Sequence, residues 1–301
     1  MTAALPHTPC YLNGQWLPLN EARVSVMDRG FLFGDGVYEF IPVYGQRLFL
    51  WHEHLVRLER SLEAVRINDP LGPDDWLGLA RELVSRVHAA TGAQDQCLYL
   101  QISRGVALRD HAMPAGLTPT VFMMSQPWPA RPVDEARHGV ACVTARDVRW
   151  QRCDIKTTSL MGNVMARQIS ADRQASETIL LREQAGHGNL VTEGATSNVW
   201  AVLEDALIGV PPSHHTLAGV RIELLQTLAE EEGIACHLRP IAEAELTHAD
   251  EILLSSAARE IQSVTHLDGE PVGHGAGRGR PGPVYGRLRA AYERAKLTLS
   301  I

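Results

Sequence analysis

Lysine is almost missing from this chain. Of 28 basic residues only Lys156 and Lys296 are lysines, which leaves 26 arginines. Cysteine is also sparse: the five residues at 10, 97, 142, 153 and 236 are odd in number and show no C-x-x-C spacing. That pattern excludes a disulfide frame and the usual zinc spacings, and it predicts reduced thiols in a cytoplasmic protein. No apolar run reaches the roughly 18 residues that a membrane span needs, and the opening MTAALPHTPC lacks the basic and apolar regions of a secretion signal. Positive charge is not in excess either. The net charge is −7 and the arginines are dispersed, which argues against nucleic acid as a partner.

What is present suits a folded domain pair. The 301 residues are 45% hydrophobic and 21% charged, enough for one large domain or two of ordinary size. Tyr11–Trp16 carries Asn13-Gly14, a type I′ hairpin signal. Val37–Tyr44 alternates like a strand and is followed by a turn at Gly45. His52–Ile67 and Asp74–Ala90 have helical periodicity, the second capped by Asp74 or Asp75, and 97–103 and 120–125 read as strands. Three prolines in Pro127–Pro132 mark a stiff linker between a domain at 1–126 and one at 133–301. Beyond it, strands are expected near 139–145, 178–181, 198–203 and 251–255, with helices near 163–175, 220–232 and 283–296. Strands and helices mix in both halves, so the fold class is α/β, with α+β character in the smaller first domain.

The chemistry-bearing groups follow the linker. Arginine holds its proton, whereas a lysine amine can lose one and attack a carbonyl, so the retained Lys156 is a candidate nucleophile. Val191–Asn198 places Glu193 among small residues. Leu217-Ala-Gly-Val-Arg221 enters a helix whose free N–H groups form an anion site. Ser255 and Ser256 end a strand. An amine, a carboxylate, an anion-binding helix start and hydroxyls together suit a phosphorylated aldehyde. Two other patterns carry less. The formal G-x-G-x-x-G at 277–282 sits beside prolines, away from any N-terminal strand–turn–helix unit, and reads as a mobile loop. His52-Glu-His54 lacks the i, i+4 spacing and third ligand of a metal helix, so no metal is expected.

With Asp28–Glu39, His54-Leu-Val-Arg57, Ile155-Lys156, Val191–Asn198 and Ser255-Ser256 taken together, the chain resembles the fold-type IV pyridoxal-phosphate enzymes, the class IV aminotransferases, over residues 11–288. The resemblance implies two domains with the cofactor in the cleft between them and the lysine in the larger, C-terminal domain. It implies that Lys156 is the Schiff-base and proton-transfer lysine, and that Glu193 meets the pyridine nitrogen and keeps it protonated. It further implies that Arg57, the Gly219 and Val220 amides and Ser256 hold the phosphate, that Leu217 packs on the ring, and that His54 supports Arg57. The chain departs from the family where many relatives carry hydroxyl residues next to the phosphate: here those positions are Arg221 and Ala257. Arg221 is expected to replace the lost contacts with its charge; the alternatives are that it points to solvent or pairs with Glu223 or Glu230.

Arg109-Asp-His111 resembles the R-x-H carboxylate trap of the D-amino-acid aminotransferases, with Tyr38 as its third member. In that branch the loop reaches into the neighbouring subunit, so a homodimer is implied. The expected activity is ping-pong transamination between D-amino acids and 2-oxo acids, of the D-alanine/2-oxoglutarate type. The rivals are a branched-chain L-amino-acid aminotransferase, an aminodeoxychorismate lyase and an (R)-amine transaminase of the same fold. A binding or scaffold protein that has kept only the fold is the non-enzymatic alternative.

Overall fold

The computed structural model describes residues 5–128 and 138–301. Two compact units result, and they do not follow one cut in the chain. The first takes in the chain up to Pro129 together with Ile155–Leu160 and Leu299–Ile301; the second comprises Ala130–Asp154 and Met161–Thr298. The sequence reading placed residue 156 in a domain spanning 133–301, whereas the Ile155–Leu160 segment packs with the first unit. Residues 129–132 of the expected linker lie outside the described residues.

The first unit is built on a six-stranded antiparallel sheet in the order β2-β1-β6-β5-β3-β4. Its strands are β1 (Pro9–Leu12), β2 (Gln15–Pro18), β3 (Gly36–Tyr44), β4 (Arg47–Leu48), β5 (Gln96–Ser103) and β6 (Thr120–Pro127). The β1–β2 hairpin turns at Asn13 and Gly14, with φ of 48° and 88°, the positive values a type I′ turn requires. Along β3 the buried positions Val37, Ile41 and Val43 alternate as a strand's period of two demands, and Glu39 occupies the same buried face. Among the described residues, three α-helices belong here: α1 (Arg29–Phe33), α2 (Trp51–Ala64) and α3 (Pro73–Thr91). α2 buries Leu55, Leu58 and Leu62, and α3 buries Trp76, Ala80, Leu83 and Val87, so each presents one apolar stripe to the core. The expected Asp74 or Asp75 cap is not used. Gly72 takes the cap position and Pro73 the first helical one; the two aspartates lie in the first turn, where the helix dipole favours negative charge.

The second unit carries a nine-stranded mixed sheet, β12-β11-β10-β13-β14-β7-β8-β9, with β15 beside β14. The strands are β7 (Val140–Arg146), β8 (Glu177–Gln184), β9 (Gly188–Gly194), β10 (Asn198–Leu203), β11 (Ala206–Gly209), β12 (Cys236–Leu238), β13 (Glu251–Ser256), β14 (Glu260–Leu267) and β15 (Glu270–Pro271). Its α-helices with described bounds include α4 (Met161–Asp172), α5 (Val220–Glu231), α6 (Glu243–Thr247) and α7 (Pro283–Thr298). Ile252, Leu253 and Leu254 of β13 are all fully buried; a run apolar at every position belongs to a strand covered on both faces. The glycine-rich run ahead of α7 forms turns, and the helix start after it is already taken. The Val284 and Tyr285 amides donate to the Glu251 carboxylate at 2.8 and 2.9 Å, which leaves no anion site there.

Gly34 closes α1 with φ +66°, and a Cβ added there would meet Ser159 Oγ at 2.6 Å. Gly45 has φ +54° with open space around it. Gly45→Ala is expected to lose about 1–2 kcal/mol of unfolding free energy from the left-handed backbone alone. Gly34→Ala is expected to lose more, because the Ser159 contact adds to the same backbone cost. Urea titration of the two variants checks both the order and the size.

Candidate active site

In the first unit the 155–160 segment is fastened backbone-first. Ile155 is buried in the core, the Lys156 amide donates to Ser61 Oγ at 3.3 Å, and the Lys156 carbonyl accepts the Tyr38 amide at 3.0 Å. The hydroxyls that follow seal it to the turn after α1. Thr157 Oγ1 donates to the Gly36 carbonyl and Thr158 Oγ1 to the Gly34 carbonyl, each at 2.9 Å. With its main chain fixed, the half-buried Lys156 side chain sets its Nζ 4.1 Å from the Tyr38 ring centroid. Tyr38 packs in turn on Tyr99 at 5.5 Å, and burial pushes the Tyr99 phenol up to about 12.

One turn of α2 brings His54 and Arg57 onto one face, where β3 offers Glu39. Arg57 grips this carboxylate as a fork, Nε to Oε1 at 2.8 Å and Nη2 to Oε2 at 2.7 Å, and His54 Nδ1 meets Oε2 at 2.6 Å. All three side chains are buried. Burial would push the Glu39 carboxyl up, but the charges of Arg57 and His54 outweigh it and hold Glu39 far below the ordinary glutamate value of 4.5. The sequence reading quoted Glu39 within a motif and gave it no task. Its place next to Tyr38, on the inward face of β3, is what aims Arg57.

The second unit gathers a different group. Glu193, near the end of β9, is buried; its Oε2 accepts the Leu217 amide at 3.0 Å and its Oε1 accepts from Arg149 Nη1. Arg149 also forks onto Asp147, Nε to Oδ1 and Nη2 to Oδ2, each at 3.0 Å. Asp147 takes the Thr192 hydroxyl at 2.9 Å and stands 3.2 Å from Arg182. Burial raises the Glu193 carboxyl against the pull of Arg149, while the hydrogen bonds and charge of Arg149 overcome burial at Asp147 and lower it. Arg149 escaped the sequence reading. The available signal was Asp147-x-Arg149 immediately after a strand, where a short loop can fold an arginine back onto an aspartate two residues earlier.

The segment Leu217–Val220 lies beside this cluster. Asn198 Nδ2 donates to the Leu217 carbonyl at 3.1 Å, and a Cβ on Gly219 would lie 1.9 Å from Asn198 Oδ1, so only glycine fits. Gly219 is extended and caps α5, which leaves the first amides of that helix pointing out of its start. Strand pairing sets Asn198 opposite Ser255, next to Ser256 and Ala257. Ser256 Oγ accepts the Arg259 amide at 3.0 Å, leaving its own hydroxyl hydrogen available. Arg221, in the first turn of α5, is 2% exposed, which rules out the alternative in which it points to solvent.

The structure therefore groups Lys156 with Tyr38, Arg57 with His54, and Glu193 with Leu217. Arg109 and His111 come together on another ring. The Arg109 Cζ lies 5.3 Å from the Phe33 centroid and the His111 ring 5.4 Å, both on the exposed loop between β5 and β6. Each unit carries donors that suit a phosphorylated pyridinium aldehyde: the first an amine for a carbonyl carbon and a guanidinium for phosphate, the second a buried carboxylate for a protonated ring nitrogen and a helix start and a hydroxyl for phosphate.

Comparison with known proteins points the same way. The family model for amino-transferase class IV matches residues 36–267. A D-alanine aminotransferase of Staphylococcus haemolyticus is 34% identical over 95% of this chain and 97% of its own length. One from Bacillus licheniformis is 37% identical over 95% and 96%. Among solved structures, the T.th. branched-chain amino acid aminotransferase with pyridoxamine 5'-phosphate superposes with a TM-score of 0.86 at 22% identity, covering 97% of this chain and 95% of that one. The branched-chain enzyme from Escherichia coli gives 0.82 at 23% identity, covering 95% and 93%.

The Glu39 cluster makes stability pH-dependent with a defined sign. A glutamate held below its unfolded value contributes its full stability above about pH 4.5 and loses it as pH falls through the folded value. Glu39→Gln is expected to cost about 3–5 kcal/mol near neutral pH, because Arg57 keeps its buried charge without a counter-ion. The gap to wild type should narrow steadily below pH 4.5. Urea unfolding across that pH range measures it.

Proposed function

Since the chain belongs to the class IV aminotransferases, we propose that it transaminates D-amino acids with 2-oxo acids, with D-alanine and 2-oxoglutarate as the representative pair. The observation that carries the D-specific reading is the pairing of Arg109 and His111 on Phe33, in a chain 34–37% identical to named D-alanine aminotransferases.

Pyridoxal phosphate, the cofactor of this family, supplies when bound an electron sink for the negative charge that forms at the substrate α-carbon. The protein's own residues do the rest. Lys156 Nζ would hold the cofactor at its carbonyl carbon and, when free, would carry a proton to and from the substrate α-carbon. Glu193 meets the ring nitrogen and favours its protonated form, and the Arg149 guanidinium pulls the Glu193 carboxyl down against the burial that raises it. Arg57, aimed by Glu39 and His54, binds phosphate together with the Gly219 and Val220 amides and Ser256. Arg221 adds its charge at the α5 start, where Ala257 offers no hydroxyl. Leu217 packs against the ring. Arg109 supplies a forked clamp for the substrate carboxylate, with His111 and Tyr38 as directional donors. We assign the working form as a homodimer in which this loop serves the partner's site. Amino donor and oxo acceptor use one set of groups in turn, so ping-pong kinetics follow.

Coupled assay of oxo-acid release from D- and L-amino acids and (R)-1-phenylethylamine tests the specificity. Turnover of D-alanine with 2-oxoglutarate is expected; turnover confined to L-leucine or L-valine would overturn the D-reading. Lys156→Ala is expected to fold with wild-type circular dichroism and to show no transamination. Borohydride treatment of the wild-type holoenzyme should add the cofactor mass to the peptide bearing residue 156 and to no other.

A further inference from the structure

The Arg109–His111 loop hangs from α1, a helix to which the transamination scheme gives no task. Arg29, the first residue of α1, is buried, and its guanidinium faces two ways. Its Nε donates to Asp35 Oδ2 at 2.7 Å, and its Nη1 donates to the Asp110 carbonyl at 2.6 Å. That carbonyl belongs to the peptide joining Asp110 to His111, in the middle of the pair. The Arg29 Cζ also lies 4.8 Å from the Phe33 centroid, so the ring that takes Arg109 and His111 is braced by Arg29.

The anchor is itself fixed from behind. Arg104 forks onto Asp35 at 2.8 and 2.9 Å and donates to the carbonyls of Val65 and Arg66 just past α2, at 2.6 and 2.8 Å. Asp35 is shared by two guanidiniums, which hold it ionised against its burial. The contrast with the loop is sharp: Arg109, Asp110 and His111 are all exposed. Exposed long side chains on an unanchored loop sample many rotamers, and holding them for a ligand costs free energy at every binding event. A buried arginine that ends on the loop's central carbonyl has the geometry of a device that meets this cost in advance.

We propose that Arg29 and Phe33 are positioning residues: they fix the Arg109–His111 loop so that its two side chains stand ready as a carboxylate clamp. The inference rests on the reading of Arg109 and His111 as the carboxylate-binding pair. Arg29 acts only through the loop, since Asp35 offsets its charge and its outward donor is spent on a backbone carbonyl. Loosening the loop weakens binding of donor and acceptor alike and leaves proton transfer at Lys156 unaltered.

The test uses the holoenzyme and two readouts: steady-state kinetics with D-alanine and 2-oxoglutarate, and amide hydrogen exchange over residues 106–113. Arg29→Met is expected to raise both KM values about tenfold, with kcat within about twofold of wild type. Exchange over 106–113 should quicken while β3 stays protected. Phe33→Leu leaves the Arg29–Asp35 pair in place and should move KM and exchange in the same direction, so the test survives if Arg29→Met fails to fold. Arg109→Met sets the reference. If it raises KM while Arg29→Met and Phe33→Leu lower only the melting temperature, the two residues are merely structural and the proposal is overturned. If Arg109→Met leaves KM unchanged, the carboxylate-clamp reading fails, and the exchange data decide the rest. Faster exchange in the variants then keeps Arg29 and Phe33 as the loop's anchor, and unchanged exchange removes them.

Discussion

A carboxylate taken out of water must be met by positive charge or by N–H donors, and much of this molecule is organised around that demand. Glu39 and Asp35 in the first unit and Asp147 and Glu193 in the second are each engaged by an arginine guanidinium. A guanidinium suits the task because its five donors lie in one plane and can serve two acceptors at once. Arg149 spans Asp147 and Glu193 in this way, and Arg29 spans Asp35 and a main-chain carbonyl. A lysine in either place would supply charge without that fixed reach. The chain's near-exclusive use of arginine thus has a structural counterpart in these pairs, and the lysine at 156 stands apart as the amine to which the proposed reaction gives covalent work.

The regular elements whose apolar residues repeat with a strand or helix period were legible in the sequence: the 13–14 hairpin, β3, α2, α3, β13 and α7 all fall where periodicity put them. The misses have separate causes. β14 carries Gln262, Ser263 and Thr265, all buried, so its polarity hid a strand that pairs with β13. β9 was noticed only as a motif, and α1 is too short for a period of 3.6 to show. The α3 cap fell to Gly72 because Pro73 presets the first helical φ and leaves the aspartates inside the helix.

The site was legible as residue types but not as partnerships. The resemblance to fold-type IV enzymes named Lys156, Glu193 and Arg57 as candidates, and the family match bears out the resemblance itself. It did not reveal that Glu39 aims Arg57, that Arg149 serves Glu193, or that Arg221 is buried. Such facts depend on which strands become neighbours, which spacing along the chain does not encode. The division of the chain was obscured for the same reason: the 155–160 segment follows a stretch of the second unit yet packs in the first.

The edge of the six-stranded sheet is finished by residues 299–301, distant in sequence. Leu48 exchanges two main-chain hydrogen bonds with Ile301, at 2.9 and 3.0 Å, and the Leu50 amide reaches the Leu299 carbonyl at 3.1 Å. The sequence distance between these partners is a matter of timing during synthesis. At about 5–20 residues per second, a ribosome takes on the order of ten seconds or more to pass from the end of β6 to residue 301. Throughout that interval β4 stands as an open strand edge, the kind of surface that pairs with stray chains. The edge of this sheet is therefore closed only once residues 299–301 have been made, and its exposure on the ribosome is set by how quickly the intervening stretch is translated.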